Sequence, residues 1–274
     1  MKIHVHSSPP EAFFVNAFIL EGETALVVVD THFLVSSASA LCARVASLGK
    51  PIAAVVITHP HPDHFNGLPQ LRALAPDAPV FATQATHDGI RDSQAAKRST
   101  WQPLYGDDYP KQDALPTEIL ASEARLTLGG MTLEFADIGP AECLDNTVIH
   151  LPDANALIVS DFVYNECHPW LAEMRSALWL DRLNDIGERF GAVARVFAGH
   201  GPAGEIGLLA DQANYIKSFR DCVRRHIPAG TSHELDDAAL NAIASETVAG
   251  RRGWPLESLI GLNSQAIARE LAAG

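Results

Sequence analysis

Between Thr58 and His64 the chain reads THPHPDH, which puts three imidazoles and one carboxylate within six residues. Neutral imidazole nitrogen and carboxylate oxygen are the donors that hold zinc, iron or manganese. His59 and His61 are alternate residues and can point one way, while Asp63 and His64 turn toward a second position. The stretch therefore suits two adjacent ions better than one. Pro60 and Pro62 remove backbone donors that would compete, and they lower the entropy lost when the loop is ordered. The competing reading is a solvated, histidine-rich turn; with twelve histidines in 274 residues such a run is rare by chance.

A loop of this kind needs a scaffold. Residues 52–58 (IAAVVIT) are a short apolar, β-branched run, the pattern of a buried strand, and they lead directly to His59. Upstream, residues 12–20 and 24–30 read as a hairpin about Glu21-Gly22, followed by a helix over 37–48. Downstream come a helix over 67–74 and a short strand at 80–82. Residues 98–115 hold two prolines, one glycine and three aromatics, which predicts a long irregular segment. Gly129-Gly130 joins strands at 125–128 and 131–138, and strands 147–151 and 156–160 pair about a Pro-Asp-Ala-Asn turn. A helix over 172–190 and a strand at 193–198 follow. A further helix carries Ile206, Leu209, Ala213, Ile216, Phe219 and Val223 on one face and stops at Pro228. Two more cover 234–248 and 256–271. Hairpins with helices between them predict an α/β (α+β) chain with two mixed sheets and helices outside. Residues 1–204 would form the main domain and residues 205–274 a C-terminal helical extension packed on it.

Composition limits the function. Apolar residues make up 47% and charged residues 19%, which excludes a disordered chain and allows a large core. Thirty-three acidic against 20 basic residues leave a formal charge of −13, so nucleic acid is not an expected partner. No stretch approaches the ~18 uninterrupted apolar residues of a membrane span. The start, MKIHVHSSPPEAFF, lacks the apolar core of an export signal. Cys42, Cys143, Cys167 and Cys222 are scattered with no C-x-x-C pair, so the expected location is the reducing cytoplasm.

The sequence resembles the metallo-β-lactamase superfamily, whose signature H-x-H-x-D-H follows a buried strand. The likeness spans about residues 12–200 and includes the Val29-Asp30-Thr31, Ser160-Asp161 and Ala198-Gly199-His200 strand ends. It implies a four-layer αββα sandwich with a metal pair at the sheet edge. His59 and His61 would bind one ion, and Asp63 and His64 the other. Asp161 would bridge both, and His200 would complete the second. Asp30 matches a position that supports the metal loop without binding metal. The chain departs from the family at the third ligand of the first ion, normally a histidine just before the strand at 147–151. No histidine lies between His87 and His150, and aligning Asp145-Asn146-Thr147-Val148 puts Glu142 there, 19 residues before Asp161. Alkylsulfatase-like members are similar in using glutamate. Cys143 and Asp145 are the alternative ligands.

The resemblance implies a metal-dependent hydrolase with two divalent ions, zinc or else manganese or iron. Its substrate would be a small molecule with an ester, lactone, thioester or similar bond. Two ions about 3.5–4 Å apart can hold water between them and lower its pKa. Asp63 is the expected general base and Asp161 the other catalytic carboxylate. Oxygen-rich ligation with Glu142 shifts preference from zinc toward manganese or iron. Trp101 and Tyr105, with Tyr109, are candidates for an apolar lid over substrate. Tyr164 is a candidate donor to a developing oxyanion and His168 a candidate substrate contact; each is weighed against ordinary packing. His4, His6, His32, His226 and His233 show no clustering and read as structural or exposed, and His150 as packed in a strand. Two other classes stand beside the hydrolase: an iron-dependent oxidoreductase or dioxygenase of the same fold, and a non-catalytic binding protein with a degraded site. The oligomeric state is open, a homodimer through the C-terminal helices among the options.

Overall fold

The computed structural model describes residues 1–228 and 234–273. The first sheet begins with three antiparallel strands, β1 (Lys2–Ser7), β2 (Asn16–Glu21) and β3 (Leu26–Val29). It continues in parallel through β4 (Ile52–Val56), β5 (Val80–Thr83) and β6 (Glu118–Leu120), in the order β1-β2-β3-β4-β5-β6. Parallel neighbours require crossovers. These are supplied by α1 (Val35–Ser47), then α2 (Pro62–Phe65) with α3 (Leu68–Leu74), then α4 (Gln84–Tyr105).

Side-chain alternation sets the layering. Ala17, Ile19, Val28 and Val55 join a core with Leu41 and Val45 of α1 and with Leu68 and Leu71 of α3. The intervening Phe18, Leu20, Val27 and Val29 are just as buried on the other face. The first sheet is thus apolar on both faces.

The second sheet is formed by β7 (Glu123–Leu128), β8 (Met131–Asp137), β9 (Thr147–Leu151), β10 (Ala156–Tyr164) and β11 (Arg195–His200), in the order β11-β10-β9-β8-β7. It is antiparallel from β7 through β10. Helices α5 (Ser176–Phe190), α6 (Leu208–His226), α7 (Asp237–Ala249) and α8 (Leu259–Ala273) complete the chain. The result is a mixed α/β protein with two sheets flanked by helices, as the sequence predicts. Its contacts divide it into two units: Met1–Ile138 with Asp145–Ser160, and Gly139–Leu144 with the chain from Asp161 onward. No described helix is long and apolar enough to cross a membrane.

The irregular segment expected over 98–115 is overturned for its first half. Residues 98–105 are the end of α4, which Thr83 caps by accepting from the Thr86 N–H at 3.0 Å. Pro103 lies in the last turn, and Gly106 at φ +56° ends the helix. Trp101 and Tyr105, four apart, share one helix face. That face packs edge-on against Phe33, with ring centroids 5.5 and 5.3 Å away. The helix expected from 172 starts at Ser176 instead. Met174 has φ +57°, and the Glu270 carboxylate of α8 accepts from the Ser176 and Ala177 N–H groups at 3.1 and 3.0 Å, capping the helix there. Strands β1 and β6 have no counterpart among the expected elements.

Candidate metal centre

In the first unit the histidine loop is shaped by a switch in backbone conformation. His61 is extended at φ −83°, ψ 140°, and Pro62 then opens the single-turn helix α2. Proline fits the first helical position because its fixed φ is helical and no N–H is needed there. The switch turns Asp63 and His64 away from the extended His59–His61 stretch. The His59 ring nonetheless contacts both histidines, with centroids 4.9 Å from His61 and 4.1 Å from His64. A second loop clamps the turn from behind. Thr31 N–H donates to the His64 carbonyl at 2.8 Å, and Gly67 N–H donates to the His32 carbonyl at 3.0 Å. A side chain at Gly67 would put its Cβ 2.0 Å from the Thr31 carbonyl oxygen, so the clamp requires glycine.

Asp30, fully buried at the end of β3, organises the donors of this loop. One carboxylate oxygen accepts from Thr58 N–H at 3.0 Å. The other takes His64 Nδ1 at 2.8 Å, Thr58 Oγ1 at 2.9 Å and Ser160 Oγ at 3.0 Å. A carboxylate only accepts, so His64 carries its proton on Nδ1 and both hydroxyls point inward. With its own proton given to Asp30, Thr58 Oγ1 serves as acceptor for His59 Nδ1 at 3.0 Å. Both imidazoles are thereby set in the tautomer that presents the Nε2 lone pair to a ligand. Buried carboxylates that fix a histidine in this way are the usual supports of metal-binding imidazoles.

The second unit carries its own acidic and imidazole groups. Asp161 and His200 lie on β10 and β11, each 2 % exposed, with His200 Nε2 3.4 Å from Asp161 Oδ2. Tyr164 donates to the same Oδ2 at 2.6 Å and lies flat on the His200 ring, with centroids 4.8 Å apart and planes 4° apart. The hydroxyl placed by sequence as an oxyanion donor therefore already donates to Asp161. After His200 the chain turns at Gly201 with φ +86°, where a Cβ would lie 1.7 Å from the Asn165 carbonyl oxygen. Glu142 and Cys143 are both buried, in a turn closed by Ala141 N–H donating to the Cys143 carbonyl at 2.9 Å.

By residue type, His59, His61, Asp63 and His64 in the first unit, and Glu142, Cys143, Asp161 and His200 in the second, are all side chains that could ligate a metal ion. These are the seven ligand positions read from the sequence together with Cys143, one of the two alternatives. Asp145, the other alternative, has a carboxylate that accepts from the hydroxyls of Thr83 and Thr86. The donor types and the fixed tautomers fit divalent metal.

The remaining candidates are placed as follows. Trp101, Tyr105 and Tyr109 pack with Phe13 and Phe33 in an aromatic cluster of the first unit. His168 is fully buried, its Nδ1 2.8 Å from the Tyr215 hydroxyl, and burial with Arg251 nearby lowers it to about 4. His4 pairs with Glu21 and His150 with Glu134. His233 lies outside the described residues. Two groupings were not anticipated. His6 Nδ1 meets His32 Nε2 at 2.9 Å, and burial, with His6 and His64 adding to it, lowers His32 to about 3. His226 gathers with Cys222 and Glu246. The first has no signal in local spacing, since its partners come from different elements; the second has only the four-residue spacing of Cys222 and His226, with Glu246 supplied by another helix.

The chain has recognisable relatives among known proteins. The chain is 25% identical over 211 residues to the metallo-beta-lactamase type 2 of Bacillus cereus, covering 76% of this chain and 75% of that one. It is 24% identical over 191 residues to the linear primary-alkylsulfatase of Pseudomonas sp. (strain ATCC 19151), covering 60% of this chain and 36% of the relative. The chain thus matches little more than a third of that longer enzyme. Among solved structures, a metallo-beta-lactamase from Pontibacter korlensis has the same fold, with a TM-score of 0.65 at 20% identity over 79% of this chain and 95% of that one. Residues 10–226 match the family described as the metallo-beta-lactamase superfamily, and the chain belongs to it.

Proposed function

We propose that the chain is a metal-dependent hydrolase with two divalent ions, one held by His59, His61 and Glu142 and the other by Asp63, His64, Asp161 and His200. Its substrate would be a small molecule with an ester, lactone, thioester or related bond. The observation that carries this reading is the relay on Asp30, which spends a fully buried carboxylate on fixing the tautomers of His59 and His64. A packing role would not require both rings to offer the same nitrogen.

When bound, such ions supply hydroxide at neutral pH and polarise the substrate oxygen. Asp63, whose side chain is 15 % exposed, would serve as the general base and pass its proton to solvent. Tyr164 holds the Asp161 carboxylate in one orientation through Oδ2. Glu142 tunes the charge. With three carboxylates among the ligands, two divalent ions keep a net charge of about +1, against about +2 with histidine at 142. A lower charge weakens the hold on anionic substrates, and an extra oxygen ligand favours manganese or iron over zinc.

One experiment tests the reading: metal quantification on protein purified without added metal, alongside a panel of lactones, thioesters, phosphoesters and sulfate esters. Sulfate esters are included because of the alkylsulfatase relative. We expect hydrolysis of at least one class, lost in His61→Ala and Asp161→Asn proteins that keep the native circular dichroism. Glu142→Gln should retain about one ion fewer per chain. Undiminished turnover in His61→Ala would overturn the mechanism, and zinc alone at full occupancy would overturn the metal preference.

A further inference from the structure

The C-terminal helices hold a set of ligand-type side chains that the hydrolase reading leaves unused. Cys222 and His226, four residues apart on α6, share one face of that helix, and Glu246 reaches them from α7. Cys222 Sγ is 3.5 Å from Glu246 Oε2, and His226 Nε2 is 3.3 Å from Glu246 Oε1. One ligand atom from each of the three residues lies within 4.8 Å of the others. Zinc binds sulfur at about 2.3 Å and nitrogen or oxygen at about 2.0–2.2 Å, so ligands at the tetrahedral angle stand about 3.4–3.6 Å apart. Each of the two separations, one to each Glu246 oxygen, is close to the length of such an edge.

We propose that Cys222, His226 and Glu246 form a zinc site that clamps α6 to α7, with water as the fourth ligand. The three donors are a thiolate, an imidazole and a carboxylate, a set that suits a borderline-soft divalent ion and not magnesium or calcium. His226 is pre-oriented because its Nδ1 donates to the Cys222 carbonyl at 2.9 Å, leaving Nε2 to face Glu246. The Arg225 guanidinium now occupies Glu246 Oε2 at 2.7 Å. Both side chains of that ion pair are about half exposed, so it contributes little and can be displaced. Burial and the neighbouring Glu246 carboxylate hold the Cys222 thiol at about 11, with Arg225 opposing them. Metal entry must therefore expel the thiol proton, and binding tightens as pH rises.

Cobalt titration of the full-length, chelator-stripped protein tests this, because a thiolate ligand gives cobalt a charge-transfer absorption that nitrogen and oxygen ligands do not. Cys143 is removed first, as Cys143→Ser, since it belongs to the candidate catalytic set. We expect the thiolate band in that protein, its complete loss on adding Cys222→Ser, and one metal equivalent fewer per chain. His226→Gln, a substitution at a part-exposed helix position, should weaken the band-forming affinity at least tenfold with the fold intact by circular dichroism. A band that survives Cys222→Ser, or no thiolate band in the Cys143→Ser protein, overturns the site. Neither result bears on the hydrolase reading, whose proposed ligands are untouched.

Discussion

Replacing Asp30 with asparagine separates the tautomer-setting role of this carboxylate from its shape. Asparagine tolerates the left-handed backbone at Asp30, φ +61°, so the substitution adds no new backbone strain. The amide keeps one acceptor, and Thr58 N–H can retain its bond of 3.0 Å. The other atom becomes an NH2 group facing His64 Nδ1 at 2.8 Å and Ser160 Oγ at 3.0 Å. Ser160 can rotate its hydroxyl and accept. His64 can satisfy the amide only by moving its proton from Nδ1 to Nε2, the atom needed for metal. The metal-free protein therefore recovers most of its hydrogen bonds and should lose only about 1–2 kcal/mol of stability. The metal-loaded protein cannot recover them. Second-layer changes of this kind lower metal affinity about 10–100-fold, which is about 1.4–2.8 kcal/mol. Competition with a chelator gives the affinity directly, and urea denaturation of the loaded and stripped proteins gives both stabilities. The expected pattern is a small loss without metal and a larger one with it. An affinity within twofold of the parent would refute the assignment of Asp30 as the group that sets the His64 tautomer.

Two further outcomes follow from the second unit. Gly201→Ala puts a Cβ where the Asn165 carbonyl oxygen already is and asks an L-residue to hold φ +86°; a loss of about 2–5 kcal/mol is expected, and a denaturation midpoint equal to the parent's would show that the turn after His200 is not constrained as described. His168, held neutral by burial and lowered to about 4, titrates in the unfolded chain at about 6.5 and in the folded chain only near 4. The unfolded state thus binds the proton first as pH falls, so stability is intact above about 6.5 and declines below it by up to about 1.4 kcal/mol per pH unit until about 4. Urea titrations between neutral pH and pH 4.5 should show a shallower acid decline in His168→Gln; parallel slopes in the two proteins would contradict the burial of this ring as a neutral group.

What the sequence shows and what it hides divide along the range of the interactions. The donors of THPHPDH are legible because their chemistry and spacing lie in seven consecutive residues, and the buried strand before them is legible from composition alone. Helix α4 is hidden because polar residues dominate it and Pro103 and Gly106 sit near its end, so the aromatic residues 101 and 105 read as loop until their four-residue spacing is matched to a helix face. The start of α5 is hidden for another reason: its cap, Glu270, comes from 94 residues downstream of Ser176. The His6–His32 contact depends on tertiary packing in the same way.

The support of the metal loop is long-range too, since Asp30 meets Thr58, His64 and Ser160 across 28, 34 and 130 residues. One physical mark ties Asp30 and Ser160 together with the clamping residue His32. All three have positive φ, +61°, +47° and +74°, in residues that are not glycine. Each such conformation costs about 1–2 kcal/mol, and glycine would remove that strain. Glycine would also remove the carboxylate, the hydroxyl and the imidazole. The chain therefore keeps strain at the edge of the site in exchange for the side chains there, and no local pattern in the sequence distinguishes those residues from ordinary strand ends.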